Sequence, residues 1–144
     1  MRVVTSQLPL DIDGQLYGSR FGELASPVHW PSLTEEERES RTDELQDWVD
    51  QLVSRFALDT RVIPPCWLRH NGMVETLSAL RDHERASYAD SAPATAAIDW
   101  LRALRDVESL LRDLAGKTQC TAQIHRSELP RATRPVEPTP TEAN

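Results

Sequence analysis

Two cysteine–histidine pairs are the residues best suited to chemistry. Cys66 and His70 are four positions apart, so on a helix both side chains would point to the same side. Cys120 and His125 form a second pair, five positions apart. Thiolate sulfur and imidazole nitrogen are the usual ligands of structural zinc, which binds four of them in a tetrahedron. If the fold brings the pairs together, the sequence predicts a closed zinc site.

Two other interpretations of the same residues stay open. Buried free cysteines are common core residues, and histidines often only form hydrogen bonds with the backbone. A catalytic cysteine with a histidine base is the other alternative, although the sequence shows no third residue to orient the base. Trp67, next to Cys66, is expected to shield the site from water.

Three helices are predicted to position these pairs. Thr34 followed by Glu37 is a capping-box pattern and predicts a first helix over 34–57. A second helix is expected from Cys66 or Asn71 to Tyr88, and a third from Pro93–Ala94 to a stop at Gly116. The apolar residues expected on the inner faces, with Trp48 and Trp100 in the core, are Leu45, Trp48, Val49, Leu52, Val53, Phe56, Met73, Val74, Leu77, Leu80, Ala97, Ile98, Trp100, Leu101, Leu104, Val107, Leu110, Leu111 and Leu114.

The short 89–93 connection predicts that the second and third helices run antiparallel, which would place both ligand pairs at one end of the hairpin. The predicted fold class is all-α, with an antiparallel helical hairpin covered by the first helix. Residues 1–31 are expected to form an irregular arm that packs through Tyr17, Phe21 and Trp30. The helical domain is assigned to 32–126, and the proline-rich segment 127–144 is expected to be disordered.

Charge argues against a nucleic-acid-binding face. The 144 residues carry a net charge of −7, and the segment 34–50 alone holds eight acids against two arginines. The arginines of the predicted hairpin that could still bind phosphate include Arg81, Arg85 and Arg105. Expected i,i+4 pairs of Arg102 with Asp106 and of Glu108 with Arg112 favour an ordinary solvated surface there.

The expected setting is the cytoplasm of an actinobacterium. The chain has neither a signal-peptide pattern at its start nor an apolar run of about 18 residues, so no membrane association is expected. With only two cysteines, a disulfide framework is not expected. Fifteen arginines against one lysine are typical of a genome rich in G and C.

Several segments resemble an actinobacterial family of domains with no assigned activity. The resemblance covers about residues 17–131 and is most distinctive in PPCWLRH and QCTAQIHR, which hold the predicted metal ligands. Members of that family tend to be encoded on conjugative or integrative elements, so the resemblance implies a genomic setting without a catalytic residue.

The leading functional hypothesis is a non-enzymatic interaction or accessory protein of a mobile genetic element, with a protein partner. It follows from this setting and from the lack of a P-loop, GxGxxG or HExxH motif. A DNA-binding accessory factor that uses the arginine-bearing hairpin is one alternative. A small zinc-dependent enzyme is the other.

Overall fold

The computed structural model describes residues 26–127, and these are helical as predicted. Three α-helices are formed: α1 (Glu35–Phe56), α2 (Asn71–Ser87) and α3 (Ala96–Thr118). Short 3₁₀ turns precede the first two helices, at Trp30–Ser32 and Trp67–Arg69. No strand occurs within 26–127. The predicted contacts of Tyr17 and Phe21 lie outside the described residues. The predicted disorder of 127–144 also lies outside them, except at residue 127.

Helix α1 begins with the predicted capping box. The Glu37 N–H donates to Thr34 Oγ1 at 3.3 Å, and the Thr34 N–H donates to Glu37 Oε2 at 2.9 Å. The helix ends at Ala57, which adopts a left-handed conformation with φ of 51°. Its predicted stripe faces the core, with Leu45, Val49 and Leu52 buried and Trp48, Val53 and Phe56 packed against them.

Helices α2 and α3 form the hairpin, and α1 packs against α2. Trp100 of α3 is fully buried and contacts Phe56 of α1 edge-on, with the ring centroids 6.3 Å apart. All four predicted inner residues of α2 are buried: Met73, Val74, Leu77 and Leu80. Trp30 is also buried, so the end of the N-terminal segment that the structure describes contributes to the core.

Some helix boundaries and faces differ from the sequence predictions. Helix α2 starts at Asn71, the second of the two predicted starts, because a 3₁₀ turn separates Asn71 from Cys66. Helix α3 runs through Gly116 and ends where Gln119 takes a left-handed φ of 56°, so the stop predicted at Gly116 is wrong. Three residues expected to support the seam of α3 are about half exposed: Ile98, Leu101 and Leu110.

A polar network absent from the sequence analysis links α1 to α2. The carboxylate of Glu84, which is 5% exposed, accepts two hydrogen bonds from the Arg55 guanidinium at 3.1 and 2.9 Å. The indole N–H of Trp48 donates to the same carboxylate at 3.2 Å. A buried carboxylate is costly unless it is paired and hydrogen-bonded, and here both conditions are met.

Within residues 26–127, none of the helices combines the length and the apolar character that crossing a bilayer demands.

Candidate metal centre

The first ligand pair lies in the connection between α1 and α2. Buried Val62, Ile63 and Pro64 anchor this segment to the core. The chain then makes a 3₁₀ turn, in which the His70 N–H donates to the Trp67 carbonyl at 3.1 Å. Cys66 and His70 flank this turn, and their Sγ and Nε2 atoms are 3.6 Å apart. Their shared orientation therefore comes from the 3₁₀ turn and not from a common helix.

The second pair lies in a tight loop after α3. The Thr121 N–H donates to the Ile124 carbonyl at 2.9 Å, and the Ile124 N–H donates to Thr121 Oγ1 at 3.0 Å. This reversal brings Nδ1 of His125 to 3.7 Å from Sγ of Cys120. The loop also directs the Arg126 N–H at the same sulfur, at 3.2 Å.

The hairpin brings the two pairs together as predicted. His70 Nε2 is 3.3 Å from Cys120 Sγ, across 50 positions of sequence. One ligand atom from each of the four residues lies within 4.8 Å of all the others. In a tetrahedral zinc site, the bonds are about 2.3 Å to sulfur and about 2.0 to 2.1 Å to nitrogen. A sulfur ligand and a nitrogen ligand are then about 3.6 Å apart. The observed contacts of 3.3 to 3.7 Å match that separation, so the four residues could hold one metal ion.

The surroundings of the cluster distinguish the two thiols. Burial raises the pKa of Cys66, and its neighbour Cys120 raises it further. For Cys120, burial acts in the same direction, but hydrogen bonds from the Arg126 N–H, Thr118, Cys66 and His70 outweigh it and lower the pKa to about 6. Cys120 is thus the thiol that ionises first, and thiolate is the form that binds a metal.

His70 and His125 are held in different ways. The His70 side chain is 2% exposed, whereas His125 lies in the surface loop and is half-buried. Their rings are tilted by 54° with centroids 5.1 Å apart, so the two imidazoles lie side by side without stacking. One ligand is therefore fixed by the core and the other by the loop.

The other predicted binding residues are not among the four residues of this cluster. Trp67 is buried in the hydrophobic core, and its expected shielding of the site stays a prediction. Arg81 on α2 forms an ion pair with Glu44 of α1 at 3.5 Å. Arg105 is exposed on α3 and pairs with Asp106 at 3.3 Å, and Arg85 is half-buried on α2.

The i,i+4 pairs expected on α3 are only partly formed. Arg112 pairs with Glu108 at 2.8 Å as predicted, but Arg102 pairs with Asp99 at 3.3 Å instead of Asp106. In both pairs an exposed arginine contacts a carboxylate of its own helix, as is typical of a solvated surface.

The sequence analysis missed the contribution of Arg126. Its backbone N–H, rather than its side chain, stabilises the Cys120 sulfur. The only signal for it was the five-residue spacing between Cys120 and His125, which is long enough for a reversal that directs the following N–H back at the cysteine. A backbone N–H is present in every residue except proline, so whether it points at a ligand depends on the loop conformation and not on the residue type.

No family model matches the chain, and neither the curated proteins nor the solved structures contain a significant match to it.

Proposed function

We propose that this chain is a non-enzymatic interaction protein whose hairpin is closed by a structural zinc ion. One observation carries the proposal: two thiols and two imidazoles, one pair from the segment before α2 and one from the loop after α3, converge within 4.8 Å. Two cysteines and two histidines form a ligand set that zinc uses in structural sites. The ion would join the segment before α2 to the loop after α3, where no regular secondary structure links them.

The number of ligands favours a structural role over the zinc-enzyme alternative. Catalytic zinc sites keep one position for water or substrate and so use three protein ligands. Here the two cysteines and two histidines would fill all four positions of a tetrahedron. With the thiols used as ligands, neither cysteine would serve as a nucleophile.

The exposed face of α1 supports a protein partner over a nucleic acid. Its acidic residues recur at i, i+3, i+7, i+11 and i+14, opposite the buried stripe: Glu36, Glu39, Asp43, Asp47 and Asp50. No ion pair within residues 26–127 involves them. Such a strip repels phosphate and suits a basic protein surface. The pairing of Arg81 and Arg105 with acids weakens the DNA-binding alternative in the same way.

The family resemblance supplies the rest of the proposal. It supports a role as an accessory factor of an actinobacterial mobile genetic element, and the cytoplasmic location is proposed from the sequence pattern alone. On this proposal the zinc ion maintains the fold, and the acidic strip recognises the partner.

Metal analysis of the purified chain tests the structural part. We expect one zinc ion per chain and its loss from Cys66→Ser and Cys120→Ser. His83→Gln is the matched control, because His83 is an exposed histidine of α2 outside the ligand set. Metal-free wild-type protein that melts at the same temperature as protein supplied with zinc would contradict the proposal.

Affinity capture tests the interaction part. The bait is the zinc-loaded chain, and the matched variant carries Asn or Gln at the five acids of the α1 strip. We expect a basic protein to be captured by the wild type and lost with the amide variant. Equal capture by both baits, or capture of no protein by the folded wild type, would contradict the proposed role of the strip.

A further inference from the structure

A cleft of about 470 Å³ lies beside the candidate metal centre. The first turn of α2, the last turns of α3 and the segment after α3 enclose it, and His70 forms part of its wall. Its volume falls within the range of about 300 to 1,000 Å³ that is common for small-molecule sites. The cleft is therefore large enough for a ligand of its own, distinct from the metal ion.

The walls of the cleft combine an apolar surface with two cations. Met73 and Leu114 provide apolar atoms, and Lys117 and Arg126 provide positive charge. Among residues 26–127, no acidic side chain lines the cleft. Gly72, in the first turn of α2, contributes no side chain to the wall, and a Cβ built there would lie in ordinary contact with Leu114 at 3.7 Å.

The two cations lack an acidic partner within the part of the chain that the structure describes. Every ion pair found in residues 26–127 uses an arginine other than Arg126, and none uses Lys117. Arg126 donates one hydrogen bond to the neutral Gln119 side chain at 3.4 Å. Lys117 lies in the last turn of α3, where its charge also offsets the partial negative charge of the helix C-terminus. Arg126 lies beyond that helix and does not have this role. Within the described range, neither cation is therefore neutralised by a carboxylate.

The start of α2 adds to this positive potential. Its N-cap position is occupied by His70, whose side chain forms no capping hydrogen bond, and its first turn contains no acid. The N-terminus of a helix carries a partial positive charge. The two cations and the N-terminus of α2 thus favour an anionic group on the ligand. The apolar wall favours an apolar body on the same ligand.

We propose that the cleft binds a small amphipathic organic anion. Its carboxylate or phosphate group would contact Lys117 and Arg126, and its apolar body would lie against Met73 and Leu114. Because Arg126 follows the Cys120–His125 loop, the proposal relies on the metal centre to hold this cation in place. It would give the interaction protein a ligand-responsive element next to its zinc site.

Binding of 1-naphthyl phosphate to the full zinc-loaded chain, followed by calorimetry and by amide and methyl NMR shifts, tests the proposal. Inorganic phosphate tests charge alone, 1-naphthol tests the apolar body alone, and 1-naphthoate tests a carboxylate head. We expect the two naphthyl anions to bind about tenfold more tightly than either partial probe, because charge-assisted hydrogen bonds add to apolar burial. Shifts should concentrate at Gly72, Met73 and Leu114.

Substitutions at the cleft provide the second arm. We expect Lys117→Met to weaken 1-naphthyl phosphate about tenfold and Lys117→Arg to retain most of the affinity. Arg105→Met is the matched control, since Arg105 is an exposed arginine of α3 outside the cleft. An equal effect of Lys117→Met and Arg105→Met, shifts away from the cleft, or equal affinity for 1-naphthol would overturn the proposal. Zinc content, measured on every sample, separates these outcomes from a failure of the metal centre.

Discussion

Nε2 of His70 lies 3.3 Å from Sγ of Cys120, so the residue that precedes α2 contacts the residues that follow α3. The contact closes the open end of the hairpin, opposite the turn that connects the two helices. Bonds from both atoms to one shared metal ion would hold this end of the hairpin closed for as long as the ion is bound. The cluster therefore couples metal binding to the packing of α2 against α3.

The first prediction concerns coordination. X-ray absorption of the zinc-loaded chain should show two sulfur ligands at about 2.3 Å and two nitrogen ligands at about 2.0 to 2.1 Å. His125→Gln should replace one nitrogen with oxygen or water and leave both sulfurs in place. A shell of oxygen atoms without sulfur would show that the zinc binds elsewhere.

The second prediction concerns metal removal. Chelation should lower the melting temperature and accelerate amide exchange in the first turn of α2 and in residues 119–126, because metal binding and local folding are linked. The centre of α1 should keep its protection, since Leu45 and Leu52 are buried in the core and α1 contributes no residue to the ligand set. The Cys66→Ser and Cys120→Ser double variant is the control and should not respond to the chelator. A uniform increase in exchange along the whole chain would argue against a local closure.

The sequence was sufficient to place the four ligands together, for a physical reason. Two antiparallel helices joined by a short turn must start and finish at the same end, so residues flanking them approach one another whatever the details of packing. The conformation of the flanking segments was not predictable in the same way. The α2 boundary depends on the 3₁₀ turn at Trp67–Arg69, and the α3 boundary depends on a left-handed Gln119, a conformation that glycine usually adopts.

The Arg55–Glu84 pair shows a second limit of sequence analysis. Glu84 is a charged residue in the register of the buried stripe of α2, and Arg55 lies 29 positions away on a different helix. Helical periodicity places the Glu84 carboxylate on the buried face of α2, but it does not show which groups neutralise that carboxylate. Its partners Arg55 and Trp48 come from α1, and their approach depends on how α1 packs against α2.

The third prediction tests that pair. Glu84→Ala should lower the free energy of unfolding by about 2 kcal/mol, because it leaves the Trp48 indole N–H and the Arg55 guanidinium without their acceptor. Arg55→Met should be comparably harmful, since it leaves a buried carboxylate uncompensated. Arg112→Met removes an exposed pair with Glu108 and should cost far less than either change at the buried pair, because solvent screens an exposed ion pair. Denaturant unfolding measures all three, and equal small effects would mean that the buried network contributes little.

The fourth prediction concerns the start of α1. Thr34→Ala should destabilise the protein by about 1 kcal/mol, because the Glu37 N–H loses its side-chain acceptor. Thr34→Ser retains the hydroxyl and is the matched control. Thermal unfolding at neutral pH measures the difference, and an unchanged melting temperature in Thr34→Ala would show that the capping box is not formed in solution.

The last prediction concerns acid. The backbone N–H of Thr34, and then its side chain, hold the pKa of Glu37 below its ordinary value. A carboxyl whose pKa is depressed on folding stabilises the protein above its unfolded pKa and loses that contribution as the pH falls through its folded pKa. Glu37→Gln can accept the same hydrogen bond but does not titrate. The stability of the wild type relative to Glu37→Gln should therefore decline on acidification, as measured by urea unfolding between neutral and acidic pH. Asp82, whose pKa burial raises, acts in the opposite direction, but it is present in both proteins and cancels in the comparison. A difference between the two proteins that is constant with pH would mean that Glu37 does not hold the Thr34 N–H.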